Sequence, residues 1–469
     1  MYAKLQRLHV VLFPFMAPVH MIPAIDVAKF FTTNHVKTTI ITTPLNAPII
    51  INSLQSTANK YVGFPIDVEN VPFPSKEGGI PEGIENLDQL NSDEMTINFL
   101  KATELLQESL EQIMEKYKPN CLVADMFYPF ASVVAAKFNV PRLVFHGTSY
   151  FAQCVGHVMM KYEPQKLVSS DDEEFVVPEI PHEIRLTRSQ LVIDAMKGKG
   201  KHEALEEWMK IFCSAMEAKE RSYGIIMNRF YELEPEYVDY YTKVMGRMAW
   251  HISPVSLCNR EKEAKFQRGK DSSINEHECL KWLDSKKPKS VVYVCFGSVV
   301  KVSSLELQEI AMGLEASEQD FIWVVRRNII DGEEVNITDW LPHEFEKRMK
   351  EKGLIIRGWA PQMLILDHEA IRAFVTHCGW NSTLDGGLII WGSFGTWPVG
   401  GEKFYSEKLV TQVLRTGVAI GARNWNRVRS ENIKPKNVME AIRRIMVGEE
   451  ALEIKKQGKE VERISKEGR

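Results

Sequence analysis

Apolar and polar positions along the first fifty residues follow the order of a strand, a helix and a second strand. His9 to Phe13 is a short apolar run, and a proline-containing loop follows it. From Met21 to Phe31 apolar residues recur at spacings of three and four, which predicts a helix with one buried face. Thr38 to Thr43 contains only threonine and isoleucine, as is typical of a parallel strand buried on both faces, and Asn46 with Pro48 marks a loop. The chain is therefore predicted to begin with a βαβ unit.

The same alternation of strands and helices continues along both halves of the chain. In the first half, the pattern predicts a strand at Cys121 to Ala124, an alanine-rich helix at Phe130 to Phe138 and a strand at Arg142 to Phe145. The strands predicted in the second half are Val291 to Phe296, Phe321 to Val325, Leu354 to Ile356 and Ala373 to Thr376. Ser303 and Glu306 are predicted to open a helix as a capping box. Both halves are therefore predicted to be doubly wound α/β domains with parallel sheets.

A polar stretch separates the two halves. Residues 258–275 are rich in lysine, arginine and serine, which suits an exposed connection. A chain of 469 residues is also too long for one compact core. We therefore predict an N-terminal domain at 1–257, a linker at 258–285 and a C-terminal domain at 286–469. Ligands of such sheets bind at the carboxyl ends of the strands, so an interdomain cleft is the expected site.

Charge and cysteine content exclude several classes of protein. The 58 lysines and arginines are offset by 62 acidic residues without a long run of one sign, so nothing favours a nucleic-acid partner. No apolar segment reaches the ~18 residues of a membrane span. The seven cysteines contain no CxxC pair, which argues against a zinc cluster or a disulfide framework. We therefore expect a cytoplasmic protein, and we expect it to be a monomer.

Two titratable residues follow predicted strands of the first half. The turn from Pro14 to His20 contains no glycine, so it is not the GxGxxG loop that binds a dinucleotide. Asp125 closes another strand, and parallel strands present their carboxyl ends at one edge of the sheet. A lone histidine in such a turn is more often structural, and the aspartate is equally suited to cap the next helix. If the two pair, the carboxylate would orient the imidazole and make His20 a competent base.

Donor groups are concentrated between Trp359 and Lys408. The sequence HCGWNS follows a predicted strand and is suited to open a helix whose free N–H groups bind phosphate. His377, Asn381 and Ser382 add side-chain donors, and Ser298 adds another from the turn after an earlier strand. Each of these residues alone is more often an ordinary turn or cap residue. Their combination predicts a diphosphate site.

Three stretches of the second half resemble the signature box of plant UDP-dependent glycosyltransferases. They are Trp359-Ala360-Pro361-Gln362, His377-Cys378-Gly379-Trp380-Asn381-Ser382, and Trp397-Pro398 with Glu402. The resemblance extends over nearly the whole chain, through stretches such as HVVLFPFMAP and FYELEPEYVDYY. On this resemblance the chain is identified as a member of the family. The resemblance is to the branch that glucosylates triterpenoids, flavonoids and related metabolites. It implies a GT-B fold of two facing Rossmann-like domains, with the acceptor bound by 1–257 and the UDP-sugar by 286–469, the latter without the family's final helix.

The resemblance also implies a role for each matching residue. His20 would be the catalytic base, with Asp125 behind it. The donor-binding residues would be Ser298, Trp359, Ala360, Gln362, His377, Gly379, Trp380, Asn381, Ser382, Asp385, Glu402 and Lys403. Within this set, the indole of Trp359 would stack on uracil. The implied reaction is inverting transfer of a sugar, in the first place glucose, from a UDP-sugar to a hydroxyl of a small lipophilic metabolite, with no metal and no other cofactor.

The sequence departs from the family's pattern at several positions, and Val19, Lys403, the segment 387–395 and the expected lack of the final helix leave an alternative open. Val19 stands where glycine is usual, Asp385 replaces a glutamate and Lys403 replaces a glutamine. The segment 387–395 also differs and carries one additional residue. The alternative is a UDP-sugar-binding protein with impaired or no turnover. A third hypothesis, a nicotinamide oxidoreductase, lacks the glycine fingerprint.

Overall fold

A computed structural model of the chain describes residues 8–55, 66–191, 202–252, 254–300, 302–325, 329–330, 333–334, 341–389, 393–425 and 433–467. The chain forms two compact units. The first comprises Met1–Gly147, Lys199–Arg229 and Arg247–Asp271, and the second comprises Thr148–Gly198, Phe230–Gly246 and Ser272–Arg469. The predicted boundary at 257 assigns all residues before it to the N-terminal domain. In the structure, two of these segments belong to the second unit, 148–198 and 230–246.

The strands and helices are numbered in chain order. The strands are β1 (His9–Phe13), β2 (Lys37–Thr42), β3 (Ile66–Asn70), β4 (Cys121–Asp125), β5 (Arg142–His146), β6 (Glu174–Val176), β7 (Arg185–Thr187), β8 (Gly224–Asn228), β9 (Ala249–Ile252), β10 (Val291–Cys295), β11 (Asp320–Val325), β12 (Ile329–Ile330), β13 (Glu333–Glu334), β14 (Gly353–Arg357), β15 (Ile371–Thr376), β16 (Phe394–Thr396) and β17 (Gly417–Ala419). The α-helices are α1 (Pro18–Thr33), α2 (Ala47–Gln55), α3 (Asp93–Glu104), α4 (Gln107–Tyr117), α5 (Phe130–Lys137), α6 (Tyr150–Tyr162), α7 (His202–Glu220), α8 (Pro235–Asp239), α9 (Lys262–Phe266), α10 (Glu276–Asp284), α11 (Ser304–Ser317), α12 (Phe345–Met349), α13 (Gln362–Leu366), α14 (Trp380–Ile389), α15 (Lys403–Lys408), α16 (Pro435–Met446) and α17 (Gly448–Glu467). Short 3₁₀ turns include Arg188–Gln190 and Tyr231–Leu233, and Leu409–Val413 is a π-helical turn.

A parallel sheet forms the centre of the first unit. Among the described residues its strand order is β3-β2-β1-β4-β5-β8-β9. Five of the six residues of β2 are buried, because its threonine and isoleucine side chains are covered on both faces. In the register between β1 and β4, Phe13 lies opposite Ala124, so the chain leaves both strands at the same edge. The predicted doubly wound arrangement is confirmed for this unit.

The second unit contains another parallel sheet. Its described strands follow the order β14-β11-β10-β15-β16-β17, and two small antiparallel hairpins, β6–β7 and β12–β13, lie outside it. All five residues of β10 are buried, as its apolar sequence VVYVC predicts. Cys295 lies opposite Thr376 in the pairing of β10 with β15, so the turns after these strands are neighbours. The predicted fold class of two parallel α/β domains is therefore confirmed.

The helix signals in the sequence are confirmed at one position and wrong at another. Ser303 caps α11, with its Oγ accepting from the Glu306 N–H at 3.3 Å while Glu306 Oε2 accepts from the Ser303 N–H at 2.8 Å. The predicted loop around Pro48 is instead the start of α2. Proline is favoured in the first turn of a helix because its missing N–H would have no partner there.

The predicted exposed connection at 258–275 is wrong for part of its length. Asn259 is buried, donates to Asp26 at 2.7 Å and accepts from Lys29 at 2.9 Å. Arg268 donates from Nε to the same aspartate at 2.9 Å. The polar residues thus satisfy a buried carboxylate on α1 instead of facing water, a pairing across more than 200 positions that local composition does not reveal. Within the described residues, no helix is long and apolar enough to cross a membrane.

Candidate functional site

A histidine and an aspartate meet at the carboxyl ends of neighbouring strands in the first unit. His20 lies in the first turn of α1, and Asp125 is the last residue of β4. Because β1 and β4 are adjacent and parallel, the loop from β1 into α1 reaches the end of β4. His20 Nδ1 lies 2.7 Å from Asp125 Oδ2. The sequence alone leaves this pairing open, and the structure contains it.

The Asp125 carboxylate is shielded and held by the main chain around it. Its side chain is 2% exposed, whereas that of His20 is 18% exposed. Oδ1 accepts a hydrogen bond from the Phe127 N–H at 3.1 Å, and the buried Arg142 donates to the main-chain oxygen of Asp125 at 2.9 Å. Since the carboxylate accepts, Nδ1 of the histidine donates and Nε2 keeps a lone pair. The pair is arranged as a general base with its orienting group.

The unusual neighbour of His20 leaves this pair intact. Val19 lies within α1, and its φ is not positive, so the β-branched side chain occupies ordinary helical backbone. The rings of Phe15 and Phe127 pack beside the imidazole, with centroid distances of 5.6 and 5.9 Å. These rings form an apolar wall next to the half-buried histidine. The effect of Val19 on turnover stays a prediction.

Trp359 is anchored to the second unit by reciprocal hydrogen bonds with Ser273. The Trp359 N–H donates to Ser273 Oγ at 2.9 Å, and its carbonyl accepts from the Ser273 N–H at 2.8 Å. Gly358 has a φ of 124°, and a Cβ there would lie 2.2 Å from the same Oγ, so this position requires glycine. The half-buried indole has a buried Nε1 without a hydrogen-bond partner in the described part of the chain, and Ala360 beside it is buried. No local pattern points to Ser273, because it lies 86 positions away from Trp359 in the predicted linker.

The two predicted donor-binding stretches meet at Gln362 and Ser382. Gln362 opens α13 and Ser382 lies in the first turn of α14, and Gln362 Nε2 donates to Ser382 Oγ at 3.4 Å. Asn381 is half-buried in the same turn, and Asp385 is buried one turn later. The stretch that contains the tryptophan and the start of α14 are therefore neighbours, as one bound nucleotide would require.

The ring of His377 lies between two glycines. A Cβ at Gly297 or at Gly379 would lie 2.5 Å from ring atoms of His377, so neither position accommodates a side chain while the ring stays in place. His377 Nδ1 and Ser298 Oγ are both buried and have no hydrogen-bond partner among the described residues. Burial, followed by the charge of Lys403, holds the pKa of His377 well below its ordinary value, so the ring is neutral. Both atoms lie in the neighbouring turns after β10 and β15, at the carboxyl ends of the strands, where they are suited to bind a ligand.

The indole of Trp380 faces the interior. It is 2% exposed and lines an apolar cavity of about 30 Å³. The cavity is also lined by Phe230, Leu233 and Phe394, among other residues. A sugar contact from Trp380 would therefore have to come from its main-chain atoms, and the predicted role stays a prediction.

Gly387 lines the same cavity and offers a test of the packing around α14. A Cβ at this position meets only Phe394 Cζ, at 4.0 Å, within the described residues. Glycine is a poor helix former, so we expect Gly387→Ala to raise the free energy of unfolding by about 0.5–1 kcal/mol, measured by urea denaturation. Gly386→Ala is the matched control, because its Cβ would lie 2.8 Å from Phe394. It should lower the same quantity by about 1–3 kcal/mol, and a loss of stability in both variants would contradict this description of α14.

Glu402 and Lys403 follow a turn made by two glycines. Gly400 and Gly401 have φ values of 65° and 58°, in the left-handed region that favours glycine. The Lys403 N–H donates to the Gly400 oxygen at 3.4 Å, and its Nζ lies 3.5 Å from the same oxygen. Both side chains are half-buried at the start of α15. Residues 390–392 of the unusual segment 387–395 lie outside the described residues, so the effect of that segment stays a prediction.

A metal site does not emerge from the described side chains. No group of three or more histidine, cysteine, aspartate or glutamate residues among them is arranged to hold a metal ion. The expectation that the protein uses no metal stays a prediction.

The chain matches a known family model and many characterised proteins. Residues 228–390 match the model described as "UDP-glucoronosyl and UDP-glucosyl transferase". The chain is 54% identical over 447 residues to scopoletin glucosyltransferase of Nicotiana tabacum, covering 95% of this chain and 90% of that protein. It is 48% identical over 465 residues to UDP-glucose flavonoid 3-O-glucosyltransferase 7 of Fragaria ananassa, covering 97% and 91%.

A solved structure is also similar along nearly the whole chain. It is the crystal structure of Glycyrrhiza uralensis UGT73P12 complexed with glycyrrhetinic acid 3-O-monoglucuronide. The TM-score is 0.88 at 37% sequence identity, and the match covers 98% of this chain and 92% of the other. The two parallel α/β units described above therefore have a known counterpart.

Proposed function

Because the chain belongs to the plant UDP-dependent glycosyltransferases of family 1, with the GT-B fold, we propose that it transfers glucose from UDP-glucose to a hydroxyl of a small lipophilic metabolite. We propose further that the transfer inverts the configuration at the anomeric carbon. Membership establishes a UDP-glycosyltransferase in general terms. The choice of sugar, the acceptor class and the stereochemistry are proposals.

The observation that carries the proposal is the hydrogen bond of 2.7 Å between His20 Nδ1 and Asp125 Oδ2. It leaves Nε2 to take the proton of an acceptor hydroxyl. The acceptor oxygen then forms a bond to the anomeric carbon, and the bond from that carbon to the β-phosphate oxygen breaks, so its electron pair leaves with UDP. Attack on the face opposite the leaving group gives inversion. The buried carboxylate stabilises the imidazolium that forms.

The second unit supports the donor side of the reaction. Negative charge develops on the diphosphate as UDP leaves, and the positive end of the α14 helix dipole is suited to stabilise it. Ser298 Oγ and His377 Nδ1, which have no hydrogen-bond partner in the described part of the chain, supply neutral donors or acceptors beside this helix. Asn381 and Ser382 add donors from its first turn. Glu402 and Lys403 would contact the sugar, as the family resemblance implies.

The acceptor is proposed to be a flavonoid, triterpenoid or related hydroxyl compound. The relatives are named for scopoletin and flavonoid glucosylation, and the solved neighbour holds a triterpenoid glucuronide. The rings of Phe15 and Phe127 beside His20 are suited to hold a flat apolar acceptor against the base.

The test is mass-spectrometric detection of glycosylated products from UDP-glucose and a panel of flavonoids and triterpenoids, with calorimetric titration of UDP in parallel. A product one hexosyl unit heavier than its acceptor, formed as the β-glucoside from the α-linked donor, supports the proposal. Tight UDP binding without a product from any acceptor would favour the alternative, a UDP-sugar-binding protein. Absence of UDP binding would overturn both.

Trp359→Ala tests the nucleotide site directly. Stacking of a base on an aromatic ring contributes about 1–3 kcal/mol, so the dissociation constant of UDP should rise by about 5- to 150-fold in calorimetry. Trp250→Ala is the control, because that indole is 40% exposed on the first unit. Equal UDP affinity of the Trp359 variant and the wild type would place the uracil elsewhere.

A further inference from the structure

We propose that Trp425 is a positioning residue for sugar recognition, because its indole N–H holds the glycine turn that precedes Glu402 and Lys403. Trp425 Nε1 donates to the main-chain oxygen of Gly401 at 2.9 Å. The inference rests on the proposed function, in which Glu402 and Lys403 contact the sugar of the donor.

The glycine turn needs support from outside. Gly400 and Gly401 both lie in the left-handed region, which glycine visits at little cost and also leaves easily. The hydrogen bonds within the turn are long, at 3.4 and 3.5 Å, and both end on the Gly400 oxygen. The bond from Trp425 is the shorter one and reaches the adjacent peptide. It therefore fixes the direction in which the chain enters α15.

Trp425 is itself held firmly. Its ring is 7% exposed and belongs to the apolar core of the second unit. Its main-chain N–H donates to the Ser189 oxygen at 2.7 Å, and Ser189 Oγ donates to the Arg423 oxygen at 3.0 Å. The 3₁₀ turn Arg188–Gln190 that carries Ser189 is closed by its own capping box at Thr187. A rigid turn thus fixes the tryptophan, and the tryptophan fixes the glycine turn.

The residues proposed to hold the nucleotide are attached differently. Trp359 is bound by Ser273, and Gln362 is bound by Ser382, and neither pair includes Trp425. Loss of the indole N–H should therefore weaken the contacts to the sugar, and so the binding of UDP-glucose, while the binding of UDP alone stays unchanged. This selectivity distinguishes positioning of the sugar-binding turn from a general contribution to stability.

Trp425→Phe is the test, because phenylalanine keeps an apolar ring in the core but has no N–H. Calorimetry should show a dissociation constant for UDP-glucose that is about threefold to tenfold higher, and one for UDP that changes by less than about twofold. A thermal unfolding scan establishes that the variant is folded. If the variant does not fold, Ser189→Ala provides the second test. It removes the hydroxyl that binds the Arg423 oxygen two positions before Trp425, and it should raise the dissociation constant of UDP-glucose relative to that of UDP by about threefold.

Glu402→Gln separates the two levels of the proposal. If it weakens UDP-glucose binding and the Trp425 and Ser189 variants do not, the positioning role is wrong while the sugar assignment stands. If Trp425→Phe weakens the binding and Glu402→Gln has no effect, the turn positions the sugar site and the role assigned to Glu402 is wrong. An equal rise in both dissociation constants for Trp425→Phe would show a general effect and overturn the inference.

Discussion

Replacement of His20 by alanine is expected to lower kcat by about 10²- to 10⁴-fold while leaving UDP binding unchanged. The imidazole accepts the proton of the attacking hydroxyl, so the substitution removes general base catalysis. The residues proposed to bind the nucleotide are unchanged. Steady-state kinetics with UDP-glucose and an active acceptor measures kcat, and calorimetry measures the UDP affinity. Asp125→Asn should also reduce kcat strongly, because an amide in place of the carboxylate no longer holds Nδ1 as the donor.

The protein contains a matched control for this prediction. His368 Nε2 lies 3.0 Å from Asp284 Oδ1, in a second histidine–aspartate pair in the other unit. His368→Ala removes an imidazole with the same type of partner and should leave kcat within about twofold of the wild-type value, because neither His368 nor Asp284 is proposed to contact a substrate. Full turnover of His20→Ala in an otherwise active preparation would show that another group takes the proton.

Much of the fold follows from local sequence patterns. Two runs of apolar or β-branched residues, VVYVC and TTIITT, have the length and composition of buried parallel strands. The structure contains a strand at each of them, β10 and β2. The Ser303 capping box is also visible in the sequence, since its two partners are three positions apart. Pro48 shows the limit of such signals. Proline marks a loop and the first turn of a helix equally well, and only the following residues decide between them.

Parts of the site depend on contacts that no local pattern encodes. The motif predicts that Trp359 and Trp380 are important, but it does not reveal that one indole is half-buried beside Ser273 while the other packs into the interior. Arg142 beneath Asp125 and Trp425 beside Gly401 are further examples, because each pair forms only when distant segments fold together. By contrast, His20 and Asp125 are both predicted to follow strands of one parallel sheet, so their pairing is an open possibility in the sequence, and the structure contains it.

The second large effect is expected from a buried carboxyl group in α15, close to the proposed sugar site. Glu407 is 3% exposed, and burial raises its pKa to about 7, although Lys408 and a hydrogen bond from Thr396 Oγ1 at 3.0 Å oppose the rise. Below pH 4.5 the group is protonated in both the folded and unfolded states. As the pH rises from 4.5 towards about 7, the unfolded state ionises first, so the free energy of unfolding should fall by up to about 3 kcal/mol.

Glu407→Gln should remove most of this pH dependence, because glutamine stays uncharged and still offers an oxygen to Thr396. Urea denaturation at pH 5 and pH 8 measures the change. At pH 8 the variant is expected to be more stable than the wild type by up to about 3 kcal/mol, whereas at pH 5, just above the ordinary glutamate pKa of 4.5, the difference should be no more than about 1 kcal/mol. Glu449→Gln on the exposed start of α17 is the control and should leave the wild-type pH dependence in place. If the free energy of unfolding depends on pH in the same way in the wild type and in Glu407→Gln, the prediction is wrong. The buried carboxyl group would then be stabilised as an anion, and burial would not be the main influence on its pKa.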